Sequence, residues 1–434
     1  MQNENLHSRQ TIDFIGFVKS KIITKGGLII KVNRVEKHRI KNKSPAWEII
    51  DKLSFKSKNL YNYANYYVRQ EFINNKKYIG YYDLKKILKT HEPYKEYGSQ
   101  TAQQTLVVLN QNWQSFFAAI KDWRKNPSKY LGRPKLPKYK NKEKGRFPVI
   151  ITNIQFAILD EYIRFSWKPL QSLNNMFKTN IKDKLMQIRF VPKGADYILE
   201  IVYEINIPEI NQHNQRITGI DIGVNNLATV SNNIGVMPFI INGKPLKSIN
   251  QYYNKKKAQI QSDLKKNHNK NWSKRLEKLT AKRTNKIIDY MHKTSKYIVN
   301  WCNKNNIDLL VVGYNKKWKQ SSKLSERVNQ NFVQIPYQMF INQLKYKCQN
   351  IGIEFVISEE SYTSGTSFLD NEQPIKEYYN KDRRKYRGLF ISNKNIKINA
   401  DLNGAYQIIK KVAPNVFNNG VEDVCLHPIR VNII

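Results

Sequence analysis

The stretch GIDIGVNNLATVS, residues 219–231, decides how the chain is read. With RIT before it, it reads as a buried strand, a tight glycine turn and a second strand. Asp221 stands between Ile220 and Ile222, with Gly219 and Gly223 on either side. An ionised carboxylate inside an apolar strand is costly unless it is paired or holds a metal. Further on, IDLLVVG (307–313) and IEFVI (353–357) are near-continuous apolar runs separated by a helix-like segment. This is the strand–helix–strand rhythm of a parallel sheet buried on both faces. Glu359 and Glu360 follow directly on IEFVI, at the strand's carboxyl end, where open α/β sheets bind ligands. Asp401 lies at the mouth of a helix in NADLNGAYQIIKKVA (399–413), where a carboxylate also serves simply as a favourable helix N-terminal residue.

The composition says what kind of partner such acids face. Lys and Arg number 74 against 34 Asp and Glu, a formal charge of +40 over 434 residues. Charge of that size calls for a polyanion or suffers its own repulsion. The 12% aromatic content argues against a disordered basic tail. Carboxylates at strand ends, in a protein suited to polyanions, point to a two-metal phosphodiester site. Its ions would lie about 3.5–4 Å apart, and hard oxygen ligands suit Mg²⁺. No Ser–His–Asp or Cys–His arrangement competes. Cys302, Cys348 and Cys425 are far apart and include no CxxC pair, so neither a disulfide framework nor a structural zinc is expected. No apolar run is long enough for a transmembrane helix, and MQNENLHSRQTIDF does not read as a secretory signal. A reducing cytoplasm and no membrane partner are the expectation.

Toward the N-terminus, residues 1–27 carry no clear pattern and read as a loose extension, while 28–41 alternate apolar and basic, as a strand does. Residues 46–73 and 99–124 place apolar residues at helical spacing and predict two long helices of one bundle. Their aromatics are mostly core. Residues 121–146 (KDWRKNPSKYLGRPKLPKYKNKEKGR) hold eleven basic and two acidic residues, with Pro127, Pro134 and Pro137 blocking a helix. This is either a solvated linker or a cationic rail for nucleic acid. Trp123, Tyr130 and Tyr139 interleave with the cations, as stacking residues do. Arg133, Lys135 and Lys138 are candidate phosphate contacts. Gln103, Gln104 and Trp113, on the second helix, are candidates for contact with a duplex, or are structural. Residues 147–210 show short alternating runs that predict a small barrel or sandwich. Residues 244–296, with sixteen basic residues, predict a long helical stretch.

From about residue 28 the chain resembles the TnpB (OrfB) family of insertion-sequence proteins, related to the compact type V CRISPR effectors. VEKHRIK (35–41) resembles the family's first strand, and NWQSFFAAIKDWRKNPSKYLGRPKLPKYK (112–140) is similar to its helix-to-basic-loop passage. GIDIGVNNLATVS resembles the first RuvC motif and INADLNGAYQI (398–408) the third, which implies catalytic roles for Asp221 and Asp401. The resemblance implies an RNA-guided DNA endonuclease. Its partners would be a guide RNA and a double-stranded DNA target read beside a short target-adjacent motif, with one protein copy per guide, in a prokaryotic, nucleoid-associated setting. It further implies an α/β plus α+β architecture. A β-barrel wedge domain (28–45 and 136–215) would carry an inserted helical recognition domain (46–135), followed by a RuvC-like nuclease of RNase H fold (216–434). Two Mg²⁺ ions, with Mn²⁺ as a substitute, would be held by Asp221, a glutamate and Asp401, and hydrolysis would leave 5′-phosphate ends.

Two departures from the family pattern matter. The middle RuvC motif normally ends its strand in Glu, where this chain has Gly313. The zinc-ribbon cysteines that normally follow YTS are missing from YTSGTSFLDNE (362–372), so no zinc is expected. The missing Glu implies either a nuclease-dead RNA-guided binder that represses transcription or a relocated ligand. Neighbouring strands lie about 4.8 Å apart, within reach of one long side chain. A Glu ending the IEFVI strand would therefore fill the same corner. EESYTS (359–364) is similar to a pattern in the eukaryotic Fanzor relatives that aligns Glu360, with Glu359 the alternative. A CRISPR effector with an array-derived guide is the third reading.

Overall fold

The computed structural model describes residues 10–11, 20–24, 27–210, 215–315, 334–386, 388–417 and 423–433. Residues 31–205 and 206–434 belong to two compact units.

The first unit takes residues 31–40 of β1 (Gly27–Ile40), the helices α1 (Pro45–Asn75), α2 (Tyr81–Leu88) and α3 (Ser99–Lys125), the strands β2 (Val149–Thr152), β3 (Phe156–Leu159), β4 (Tyr162–Phe165) and β5 (Lys184–Lys193), and residues 196–205 of β6 (Asp196–Ile207). Ser44 starts α1 by accepting the Trp47 amide, with Pro45 in the first turn. Leu60, Ala64 and Val68 of α1 meet Leu106, Leu109 and Trp113 of α3 in one core with Val149, Ile188 and Leu199 of the sheet. Sequence reading expects residues 1–27 to lack structure, yet Gln10–Thr11 and Ser20–Thr24 both pair with β1; the rest of that segment is outside the described residues apart from Gly27. The runs over 147–210, read as a small barrel or sandwich, lie in a sheet and a separate ribbon. Among the described residues the sheet follows the open path Gln10–Thr11, β1, β6, β5, β2, while β3 and β4 form a separate two-stranded ribbon.

The second unit opens with β7 (Ile217–Asp221), β8 (Asn226–Asn232) and β9 (Phe239–Asn242), an antiparallel meander. After it come α4 (Lys244–His268), α5 (Lys274–Lys304), β10 (Leu309–Gly313), α6 (Tyr337–Asn350), β11 (Glu354–Ser358), α7 (Ala400–Val412) and β12 (Ile429–Val431). Strand order is β11-β10-β7-β8-β9-β12, with β10 parallel to both β7 and β11. The single helix expected over 244–296 is two. Asn269 closes α4 in a left-handed conformation (φ 46°), and Ser273 caps α5 by accepting the Leu276 amide.

Side-chain alternation sorts this sheet onto two helical layers. Ile220, Leu310 and Val312 face Met291 and Ile298 of α5 and Phe340, Ile341 and Leu344 of α6. Ile217, Leu309 and Val311 face Ile408 and Ile409 of α7. Stepping by two along the same face leads from Ile217 to Gly219 and Asp221, and from Leu309 to Val311 and Gly313. The period of the strands thus delivers both ends to the α7 side. There the backbone approach is close: a Cβ on Gly219 would lie 2.6 Å from the Ala405 carbonyl oxygen.

Candidate active site

Three acids come together where the strands of the second unit end and α7 begins. Asp221 is the last residue of β7. Its Oδ2 lies 3.1 Å from where a Cβ on Gly404 would sit, so the carboxylate packs onto a bare patch of α7. Burial pushes its pKa well above the usual aspartate range, and the charges of Glu360 and Asp401 push it further, against the pull of Arg384.

Glu360 lies over Gly313, the position where the resemblance would put a glutamate. β10 and β11 pair in register with Gly313 opposite Ser358, the parallel pairing the two apolar runs predict. Two residues past Ser358, Glu360 folds back over Gly313. A Cβ built on Gly313 would lie 2.8 Å from both Cγ and Oε1 of Glu360, and would collide with Ile408 of α7 as well. Glycine at 313 leaves the space that Glu360 fills. Bonds at its own backbone hold Glu360: its amide donates to Asn315 Oδ1 at 3.0 Å, and its carbonyl accepts the Thr363 hydroxyl at 2.9 Å. Its Oε1 is buried and has no hydrogen-bond partner among the described residues. Burial, then the charge of Glu359, raises its pKa to about 7, with Lys411 opposing.

Glu359 has a different fate. It is exposed, and its carboxylate accepts from Lys411 Nζ at 3.0 Å and bonds the Ser361 hydroxyl, which with burial opposing keeps its pKa below the glutamate norm. The alternative ligand is therefore bound up on the surface.

Asp401 sits in the first turn of α7, whose N-cap Asn399 accepts the amides of Asp401 and Leu402. Its two oxygens are already engaged. Arg384 Nη2 donates to Oδ1 at 2.9 Å, and Asn226 Nδ2 donates to Oδ2 at 2.7 Å. Among the described residues, no three Asp, Glu, His or Cys side chains stand as a ready-made ligand set. The acids are neighbours, with one held by an arginine. The donor set nonetheless fits a hard divalent cation: oxygen ligands only, one buried oxygen unsatisfied, and an aspartate whose charge is disfavoured until a cation arrives.

Sequence reasoning misses Arg384 and Asn226. Arg384 lies in KDRRKYR (381–387), one basic run among many, and nothing in its spacing marks it. Asn226 carries a faint signal, as a polar residue opening the strand that pairs with β7.

In the first unit the basic stretch after α3 is fastened to α1. Lys58 Nζ donates to the Lys142 carbonyl at 2.5 Å. Asn62 both donates to the Lys140 carbonyl (2.9 Å) and accepts its amide (2.8 Å). Asn65 and Arg69 both donate to the Pro137 carbonyl at 3.0 Å. One face of a helix thus grips the strap's backbone, and two of the strap's cations also turn inward, Arg146 pairing with Asp51 and Lys140 lying over the Tyr61 and Phe147 rings. Arg133, Lys135 and Lys138 line a cleft of about 430 Å³ with Arg69, Phe72 and Phe116. Trp113 is different: it is wholly buried and its indole N–H donates to Asn65, so it offers no ring face to a base and belongs to the core. Gln103 and Gln104 are half-buried, and Gln103 accepts the Tyr81 hydroxyl.

A family model described as OrfB_IS605, a probable transposase, matches residues 200–319, and one described as the Cas12f1-like TNB domain matches residues 337–408. The first spans Asp221 and Gly313, the second Glu360 and Asp401. In the solved complex of Cas12f1 with sgRNA and target DNA, the protein aligns with 83% of this chain and 82% of its own at 14% identity and a TM-score of 0.52. The fold is therefore a mixed α/β fold similar to that of Cas12f1. TnpB-like protein ORF457 of Acidianus two-tailed virus is 23% identical over 412 residues, 83% of each chain. The chain is thus similar to a TnpB-like protein over most of its length, in keeping with the resemblance its motifs carry.

Two outcomes follow from the packing at Gly313. Gly313→Ala destabilises the protein by about 1–3 kcal/mol in urea unfolding, because Glu360 and Ile408 must give way. The second concerns pH. Glu360 titrates near 7 when folded against an ordinary 4.5, so the stability that goes with its protonated form is present below about pH 4.5 and is lost as pH rises through about 7. Glu360→Gln therefore raises the Tm of the chelator-treated protein at pH 8 and leaves it nearly unchanged at pH 4.5.

Proposed function

We propose that the chain is an RNA-guided DNA endonuclease that cuts beside a short target-adjacent motif. The observation that carries the reading is Glu360 standing over Gly313, beside Asp221. A glutamate absent from its usual strand reaches the same corner from the neighbouring one. The strand order, an antiparallel meander followed by two parallel strands on its first strand, supports a RuvC-like domain of RNase H fold over 216–434. In this reading, 46–135 is the recognition domain within a β-rich wedge domain (28–45 and 136–215). Guide RNA and duplex DNA lie along basic surfaces such as the strap of Arg133, Lys135 and Lys138, which contact phosphate without reading sequence.

Asp221, Glu360 and Asp401 are the residues that would hold two Mg²⁺ or Mn²⁺ ions, which when bound would supply activation of water and neutralisation of phosphate and leaving-oxygen charge. The chain's own work is to orient and to neutralise. Glu360 turns an unsatisfied oxygen into the corner between β10 and α7. Asp401 lies at the positive end of α7, with Asn226 fixing its second oxygen. Arg384, once released from Asp401, is the cation available to a phosphate oxygen, with a planar fork suited to it. Before loading, its pairing with Asp401 compensates the repulsion among three acids.

The test is cleavage of a guide-matched duplex by the full chain with its co-purifying RNA. Cutting requires Mg²⁺ or Mn²⁺ and falls at least about 10³-fold in Asp221→Ala, Glu360→Ala and Asp401→Ala, on the scale by which lost electrostatic groups slow such reactions. Arg384→Ala is slowed less, and Glu359→Ala cuts normally. Tight binding of the matched duplex with no cutting in any divalent metal would leave a guided binder instead. Sequencing the bound RNA separates a transposon-derived guide from an array-derived one.

A further inference from the structure

The helices α4 and α5 carry a feature that the cleavage chemistry does not use. In the groove between them lies a cleft of about 310 Å³. Ile249 and Leu279 contribute apolar surface, and Tyr252, Tyr253, Lys282, Arg283 and Lys286 supply rings and charge. One side of the cleft is rigid. Arg283 donates from Nε to Asn250 Oδ1 at 2.8 Å and from Nη2 to the Gln334 carbonyl at 2.9 Å. Its guanidinium lies over the Tyr253 ring, 5.4 Å from the centroid, and the Tyr253 hydroxyl is 3.2 Å from Thr280 Oγ1. The other side is open. Tyr252 is 60% exposed and has no hydrogen bond or ring contact among the described residues. Lys282 and Lys286 stand one helical turn apart on the rim, and neither is ion-paired among the described residues.

An exposed ring, a fixed guanidinium–tyrosine stack and two unpaired ammonium groups are the ingredients by which proteins hold unpaired nucleotides: rings for base faces, cations for phosphates. Helices pack with axes about 8–10 Å apart, so the groove between two of them admits one ring and not a duplex, whose base faces are covered by their neighbours. We propose that this cleft is a stacking subsite for single-stranded nucleic acid, with a base on Tyr252 and the flanking phosphates on Lys282 and Lys286. It rests on the nucleic-acid partner of the reading above but not on cleavage.

The test uses the full chain freed of bound RNA, with fluorescent oligothymidine and oligouridine of about twelve nucleotides and a duplex of the same length. Tyr252→Ala lowers affinity for single strands about tenfold, from the loss of one base stack, and leaves duplex affinity within twofold. Tyr252→Trp restores single-strand binding. Lys282→Gln with Lys286→Gln lowers the single-strand salt slope by about 1.4, for two lost phosphate contacts. Iodouracil-labelled strands photo-crosslink to Tyr252. A loss confined to the deoxy or to the ribo strand supports the subsite and identifies its occupant as DNA or RNA. Single-strand affinity within twofold of wild type in Tyr252→Ala, or an equal loss on the duplex, overturns the subsite. A Tyr252→Ala protein that binds normally and still cuts matched DNA would do so while leaving the nuclease reading intact.

Discussion

The arrangement of the second unit turns on one steric exchange: residue 313 gives up its side chain so that residue 360 can place one. Gly313 ends β10 against Ile408 of α7, and Glu360 fills the volume a Cβ would have taken. Close packing makes the two positions dependent on each other. The other features of the site follow. Asp221 lies on the same face of the sheet by strand alternation, against Gly404, and α7 brings Asp401 to the same end of the sheet. Burial raises the pKa of both Asp221 and Glu360, and at Asp221 the charges of Glu360 and Asp401 add to it. Arg384 relieves part of it.

This exchange explains how a departure from the family pattern coexists with the pattern's other two acids. Ile408 of α7 already leaves no room for a Cβ at 313, and Glu360 takes up the space that remains. The neighbouring strand supplies a side chain whose backbone is clamped by Asn315 and Thr363 and whose outer oxygen is left unsatisfied in a buried corner. A buried carboxylate oxygen with no donor is expensive, a cost that a bound cation would relieve.

Much of this was legible in the residues, and the limits have physical causes. The buried strands announce themselves as apolar runs, and Asp221 is conspicuous because a charge inside such a run is costly. Alternation predicts which strand residues share a face, but the rule ends with the strand, so Glu359 and Glu360 stay equivalent until Lys411 is seen to hold the first on the surface. Arg384 is hidden because one arginine among 74 basic residues carries no distinguishing spacing. Trp113 shows the converse. Helical periodicity already places it in the core, and its buried indole bonded to Asn65 removes it from the nucleic-acid candidates. The division of the long basic helix at Asn269 escaped because asparagine closes a helix only when it adopts a left-handed backbone, which composition does not reveal.

The strap after α3 shows that a proline-broken, lysine-rich segment need not be a loose tether. Four side chains of α1 hold its backbone, while Arg133, Lys135 and Lys138 line a cleft at its side. The site itself depends on Glu360, and divalent-ion binding tests that residue's role without reference to guide or target. Calorimetric titration of the chelator-treated protein with Mn²⁺ should show binding that weakens by at least about tenfold in Glu360→Gln, as expected for a lost ligand, and is unchanged in Glu359→Gln. Equal Mn²⁺ binding by wild type and Glu360→Gln, or a loss in Glu359→Gln alone, would contradict the account.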